Sequence, residues 1–133
     1  MRKNTWAVAA LLVVLAFILA ACGSATPSKS GAAMAVESYY QAMVAKDAAK
    51  MSAISCKDWE SQALLEMDAF QAVKAELEGL SCKDSGTDGS ATLVGCTGKI
   101  NVTYNTEQQV IDLSRQTYKV VQEGGDYRVC GYK

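Results

Sequence analysis

Residues 91–104 read ATLVGCTGKINVTY, and this stretch decides the fold of the chain. Its larger apolar side chains fall mostly on even positions: Val94, Cys96, Ile100, Val102 and Tyr104. Because successive side chains of a strand point to opposite faces, this spacing predicts one long strand with a single apolar face. Such a strand is typical of an antiparallel sheet that is covered on one side.

Turn chemistry on both sides of this strand predicts three more strands, at 80–83, 109–122 and 127–132. They are separated by turn-forming clusters at 84–89, 105–107 and 124–125. The apolar residues change parity between Leu113 and Tyr118, so a β-bulge is expected near 114–116. The four strands would form an antiparallel meander.

Upstream of the strands, the apolar residues follow the three-to-four residue period of helices. One stripe comprises Val36, Tyr39, Tyr40, Met43 and Val44, and it continues through Met51 and Ile54. Asp47 is expected to restart the helix, and a second helix is expected from Trp59 to about residue 79, with Gly79 as its C-cap. Helices within about 32–79 followed by strands within about 80–133 predict an α+β fold, with N-terminal helices packed on the sheet.

The first 21 residues have the pattern of a secretory signal peptide. Arg2 and Lys3 form a positive start, an apolar run follows, and small residues end it. Residues 22–31 are small and polar, so they predict a flexible tether. The expected organisation is therefore a signal peptide at 1–21, a tether at 22–31 and a single domain at 32–133.

The end of the apolar run, Leu19-Ala20-Ala21-Cys22, resembles the lipobox of bacterial lipoproteins. The resemblance implies cleavage before Cys22 and a diacylglyceryl group on its sulfur, anchoring an exported protein to the outer face of the cytoplasmic membrane, or to an outer membrane in a cell that has one. Two alternatives remain open: an uncleaved membrane helix, and secretion with Cys22 left free. The run of 17 residues from Trp6 to Cys22 falls just short of the ~20 that usually span a bilayer.

Composition excludes several classes of function. The chain has no histidine, which rules out a Ser-His-Asp triad, an imidazole base and His-ligated zinc. The formal net charge is −1, and two of the cations, Arg2 and Lys3, lie in the signal peptide. The mature domain is therefore acidic, which argues against nucleic acid as a partner. No motif indicates a cofactor.

Four cysteines remain after Cys22, and an even number in a small exported domain predicts two disulfides. The turn near residue 89 would place Cys82 opposite Cys96, within disulfide reach, which leaves Cys56 to pair with Cys130. The alternative Cys56–Cys82 stays open. The cysteine spacings match no metal-binding motif, so no metal site is expected.

Two phrases carry a second resemblance. Residues 39–54, YYQAMVAKDAAKMSAI, are similar to the opening helix of many NTF2-like domains, and residues 125–130, GDYRVC, resemble the last strand of bacterial lipoproteins of this type. The resemblance implies an NTF2-like or cystatin-like fold in which a curved sheet wraps a helix and leaves a cone-shaped pocket. Members include enzymes and binding modules, and their catalytic His or Asp motifs are not matched here.

Candidate pocket residues are the polar side chains expected on the concave face: Tyr40, Tyr104, Tyr118 and Arg115. Asp112 lies within a predicted strand between Ile111 and Leu113, so it is the one acid expected to be buried. Burial would raise its pKa and allow it to act as a base.

These features predict a membrane-anchored extracytoplasmic protein without catalytic activity, whose domain binds a small apolar ligand or an envelope protein. One alternative is an isomerase- or dehydratase-like enzyme that uses an Asp–Tyr pair in the cone. Another is a homodimeric interaction module.

Overall fold

In a computed structural model, residues 28–133 of the 133-residue chain are described. Three helices precede five strands in sequence. The helices are α1 (Gly31–Ala45), α2 (Ala48–Ile54) and α3 (Glu60–Asp68). The strands are β1 (Lys74–Asp88), β2 (Ala91–Tyr104), β3 (Glu107–Asp112), β4 (Thr117–Glu123) and β5 (Asp126–Tyr132). The predicted α+β class, with helices packed on an antiparallel sheet, is confirmed.

The helix ends follow from local capping. The Ser30 side chain accepts a hydrogen bond from the backbone N–H of Ala33, so α1 begins at Gly31, one residue before the predicted domain boundary. Lys46 ends α1 in the left-handed conformation. Asp47 caps α2 by accepting from the N–H of Lys50, which confirms the predicted restart.

The second predicted helix was wrong beyond residue 68. α3 ends at Asp68, and the chain enters β1 at Lys74 instead of remaining helical to about 79. Leu77 pairs with Ile100 on β2, so long-range strand pairing prevails over the local helical spacing. Gly79 is not a helix cap: it lies where the β1–β2 register shifts, and a Cβ on the facing Gly98 would come within 2.6 Å of its carbonyl.

The sheet is built around β2, in the order β1-β2-β4-β5, and β3 pairs with the second half of β2. The predicted strand 109–122 is therefore two strands, so the sheet has five strands rather than four. A 3-10 turn at Leu113–Arg115 interrupts it at the place where a bulge was expected, and Leu113 is buried there.

Two disulfides link distant parts of the chain. Cys82 and Cys96 occupy directly opposite positions on β1 and β2, with Cα atoms 4.0 Å apart. Cys56 and Cys130 join the α2–α3 connection to β5, with Cα atoms 5.2 Å apart. The structure therefore has the pairing that the turn near residue 89 predicted, and not the alternative bond between Cys56 and Cys82.

The domain has two ends. At the proximal end lie the start of α1 and the turns that join β1 to β2 and β4 to β5, because Gly31 contacts Tyr127 and Ser30 bonds Asp84. At the distal end lie the end of α1, the start of β1 and strand β3, because the Lys46 ammonium bonds the carbonyl oxygen of Val73. The polypeptide therefore enters the domain at the end opposite β3.

Among residues 28–133, the structure contains no helix that could span a bilayer. The predicted signal peptide and Cys22 lie outside the described residues.

Candidate functional site

Five aromatic side chains pack together where a cone pocket was expected, between the helices and the sheet. We call them the aromatic cluster: Tyr39, Tyr40, Trp59, Tyr118 and Tyr132. Tyr118 is at its centre, with ring centroids 5.5 Å from Tyr39, 5.4 Å from Tyr40 and 6.0 Å from Tyr132. Tyr39 and Tyr118 are almost fully buried. At these distances the rings around Tyr118 are in contact with one another.

A short hydrogen-bond chain crosses the cluster. The Trp59 indole N–H donates to the Tyr39 hydroxyl oxygen at 3.3 Å, and this hydroxyl donates to Glu66 Oε2 at 2.9 Å. The Tyr118 hydroxyl lies 3.2 Å from Gln116 Oε1. Glu66 Oε1 is buried and accepts no hydrogen bond from residues 28–133. Glu66 is thus the polar end of an otherwise aromatic interior.

The surroundings of Tyr39, Tyr40 and Tyr118 favour the protonated form of their hydroxyl groups. Burial is the largest cause that raises the pKa of Tyr39, Tyr40 and Tyr118 above the usual tyrosine value. The negative charge of Glu66 raises each of these pKa values further. At neutral pH the three phenols are therefore hydrogen-bond donors and not bases.

The four predicted pocket residues do not converge. Tyr40 and Tyr118 are brought together, whereas Tyr104 is 54% exposed and Arg115 lies exposed in the 3-10 turn. Tyr118 pairs with Val94, and Tyr104 lies ten residues further along β2, which is about 33 Å at 3.3 Å per residue. Tyr104 and Tyr118 were expected on the same face of the sheet, but they lie too far apart to line one pocket.

Asp112 requires a correction. It was expected to be buried with a raised pKa, but it is exposed at the end of β3. Its carboxylate accepts hydrogen bonds from the hydroxyl and N–H of Ser114, and these bonds lower the pKa of Asp112. It is a charged cap for the 3-10 turn and does not reach the aromatic cluster.

The acid that does reach the cluster is Glu66 on α3, which accepts a hydrogen bond from the Tyr39 hydroxyl. Ala63 and Met67 on α3 are buried, and Glu66 lies three residues after the first and one before the second. It therefore borders the buried face of the helix. That spacing was the signal available for placing Glu66 near the interior.

Within residues 28–133, one group of side chains is close enough to share a metal ion: Cys56, Cys130 and Glu123, whose ligand atoms lie within 4.8 Å of one another. The two sulfurs are bonded to each other, so neither is a free thiolate. The group is a disulfide beside a carboxylate.

Two exposed surfaces lie at the ends of the domain. The proximal groove has a volume of about 400 Å³. It lies between α1, α2 and the β4–β5 turn and is lined mainly by Met34, Ala35, Ala53, Ile54 and Tyr127. The distal surface is β3 with the adjoining end of β2, and it exposes Tyr104, Val110 and Ile111. The proximal groove is an apolar patch that the domain itself leaves uncovered, and the distal surface exposes one apolar side chain on each face of β3.

Comparison with known proteins shows the fold and nothing further. No family model matches the chain, and no curated protein matches it. The solution structure of a SEC-C motif-containing protein from Rhodopseudomonas palustris superposes with a TM-score of 0.50 at 12% identity, over 79% of this chain and 80% of that one. The crystal structure of a candidate polyketide cyclase from Pseudomonas putida gives 0.49 at 18% identity, over 77% of this chain and 90% of that one.

Proposed function

We propose that this chain is an exported lipoprotein, anchored at Cys22, whose NTF2-like domain binds a protein partner in the cell envelope without catalysis. The lipobox resemblance supports the anchor. Two disulfides suit an oxidising compartment outside the cytoplasm. The exposed position of Asp112 and the filled interior around Tyr118 favour a surface function over chemistry in a cone pocket.

The observation that carries partner binding is strand β3. Each of its six residues is exposed, and within residues 28–133 it pairs with β2 alone, so one backbone edge is free. Val110 and Ile111 point to opposite faces and are 62% and 43% exposed. An unpaired strand edge flanked by apolar side chains is a site where an extended segment can add a further strand.

The charges at the ends of β3 indicate what kind of strand fits. Glu107 and Asp112 stand at either end of the strand, and both are exposed. They discourage non-specific pairing of apolar strands. A partner segment with basic residues at its ends and apolar residues between them would complement this edge.

The anchor is tested by the mass and lipid content of the mature chain. We expect the natural product to begin at Cys22 and to carry two acyl chains, because two chains hold a protein on a membrane where one is marginal. Cys22→Ser removes the sulfur that would form the thioether, so fatty-acid labelling should fall to background. Ser24→Ala, two residues away, should label normally. Label that persists in Cys22→Ser, or is absent from the natural chain, would contradict the anchor.

Partner binding is tested by photo-cross-linking in the producing cell. A photoreactive side chain at Gln108 on β3 should form a specific adduct, and Val110→Lys should reduce it several-fold. Because Val110 is exposed, this change should alter the free energy of unfolding by no more than about 0.5 kcal/mol. Leu65→Lys, at a site 63% exposed on α3, is the matched control and should leave the adduct unchanged.

The mass of the adduct separates the alternatives. An adduct with a different protein supports the proposal, whereas an adduct of twice the chain mass would assign β3 to a homodimer. No adduct at Gln108, or equal loss with Leu65→Lys, would remove β3 as a binding strand.

A further inference from the structure

The proximal groove begins where the polypeptide enters the domain. The ring of Tyr127 lies directly over the first residue of α1, since a Cβ on Gly31 would be 2.2 Å from that ring. Met34 lies one helical turn further along α1, and Ala53 and Ile54 of α2 form the opposite wall. The groove is therefore part of the surface that surrounds the entry point.

Two large apolar side chains are exposed at this groove. Met34 is 51% exposed and Tyr127 is 41% exposed. The other described methionines, Met43, Met51 and Met67, are all buried, so Met34 is an exception to how this domain uses the residue. An exposed methionine beside an exposed tyrosine is typical of a surface that binds an apolar partner or a membrane.

The entry point is held firmly to the domain. Ser30 donates to the carboxylate of Asp84 on β1, and Lys29 forms an ion pair with Glu37. Glu37 in turn accepts a hydrogen bond of 2.9 Å from the backbone N–H of Cys82. The chain before Ser28 therefore starts from a fixed place on the proximal end.

Cys22 is six residues before Ser28, and six fully extended residues span about 20 Å at most. A lipid on Cys22 would keep the proximal end within that distance of the headgroups. With so short a tether, the groove is always close to the membrane. Its effective concentration there is high, so even a surface with weak affinity for lipid would make contact.

We propose that the proximal groove docks on the surface of the phospholipid bilayer that holds the Cys22 anchor. The inference rests on the proposed lipidation. Met34 enters the headgroup boundary, and Tyr127 lies there with its ring in the apolar region and its hydroxyl in water. Lys50 on the groove wall faces lipid phosphate, while the carboxylate of Asp126 lies 3.8 Å from the Arg128 guanidinium. This orientation leaves β3 at the end of the domain that faces away from the membrane.

The test uses the full-length gene product, purified with its lipid and placed in phosphatidylcholine vesicles whose acyl chains carry bromine. Met34→Trp adds a fluorophore in the groove, and Tyr104→Trp adds one at a distal site of similar exposure, 54%. We expect the added emission of Met34→Trp to be quenched at least twofold relative to unbrominated vesicles. The added emission of Tyr104→Trp should be unchanged.

The unaltered chain gives a second measurement that needs no substitution. Tyr127 and Tyr132 are each 41% exposed, so hydroxyl radicals should label them similarly in the absence of a membrane contact. On vesicles without bromine, we expect Tyr127 to be labelled several-fold less than Tyr132.

The lipid content, the quenching and the tyrosine labelling together test both the docking of the proximal groove and the anchor. Diacylglycerol on Cys22 together with selective quenching and protection supports docking. Diacylglycerol on Cys22 with equal quenching at Met34→Trp and Tyr104→Trp, and equal labelling of the two tyrosines, overturns docking and leaves the anchor intact. A chain that carries no lipid on Cys22 overturns both docking and the proposed anchor.

Discussion

Replacing Cys56 and Cys130 with alanine should lower the free energy of unfolding of the 28–133 domain by about 4 kcal/mol, because the bond closes a loop with a sequence separation of 74. The bond limits the conformations of the unfolded chain, and this effect grows with loop length. Small domains are stable by only about 5–15 kcal/mol, so the loss removes a large share of the total. Urea unfolding followed by far-UV circular dichroism measures it.

The matched control is the Cys82→Ala and Cys96→Ala pair. Its loop is shorter, with a sequence separation of 14, so the expected loss is about 3 kcal/mol. Cys82 and Cys96 are also held opposite each other by the β1–β2 ladder. Cys56 lies outside the strands, and its backbone N–H donates one hydrogen bond of 2.9 Å to the carbonyl oxygen of Val129 on β5. A larger loss for the short loop than for the long loop would contradict this account of the two bonds.

Tyr118→Ala should be the most damaging single substitution in the aromatic cluster. Tyr118 is 1% exposed and packs against three other aromatic rings, so truncation should leave a cavity and lower the free energy of unfolding by about 3–5 kcal/mol. Tyr118→Phe keeps the ring and removes the hydroxyl near Gln116, which should change stability by about 1 kcal/mol. Urea midpoints of the two variants, compared with the parent, measure the difference. If Phe were as damaging as Ala, the hydroxyl rather than the ring would stabilise the cluster.

Alkaline pH gives a further measurement on the same variants. Burial raises the pKa of Tyr118 above that of a tyrosine in an unfolded chain, about 10. The unfolded state therefore releases its proton first, so the contribution of Tyr118 to stability is constant below about pH 10 and falls as the pH rises above it. In Tyr118→Phe, the free energy of unfolding should decrease less steeply as the pH rises above about 10. An unchanged pH dependence would show that other tyrosines account for it.

Several features could be predicted because they depend on neighbours in the sequence. The even-position pattern of β2 was correct at Val94, Cys96 and Ile100, which are buried, but not at Tyr104, which is exposed. The restart at Asp47 follows from a side chain that caps its own helix. The Cys82–Cys96 bond follows from the position of a turn, because strand pairing around a turn is symmetric.

The boundary between α3 and β1 was mispredicted because local spacing is ambiguous there. Phe70, Val73, Leu77 and Leu80 follow a helical period, while Ala75 and Leu77 also alternate with the exposed Lys74, Glu76 and Glu78. Both periods fit the same residues. The pairing of Leu77 with Ile100, 23 positions later in the chain, decides in favour of a strand.

By itself the sequence determined the fold class, the apolar face of β2, the stripe of α1 and the cysteines that can meet across a turn. These features depend on spacing within a dozen or so residues, where backbone geometry restricts the outcome. The tertiary structure alone decided where α3 ends, that Glu66 and not Asp112 reaches the interior, and that Tyr104 is remote from Tyr118. The spacing of Ala63 and Met67 marks Glu66 only as a neighbour of the buried face of α3. Which surfaces pack against that face depends on distant segments, and their packing leaves no periodic signal in the chain.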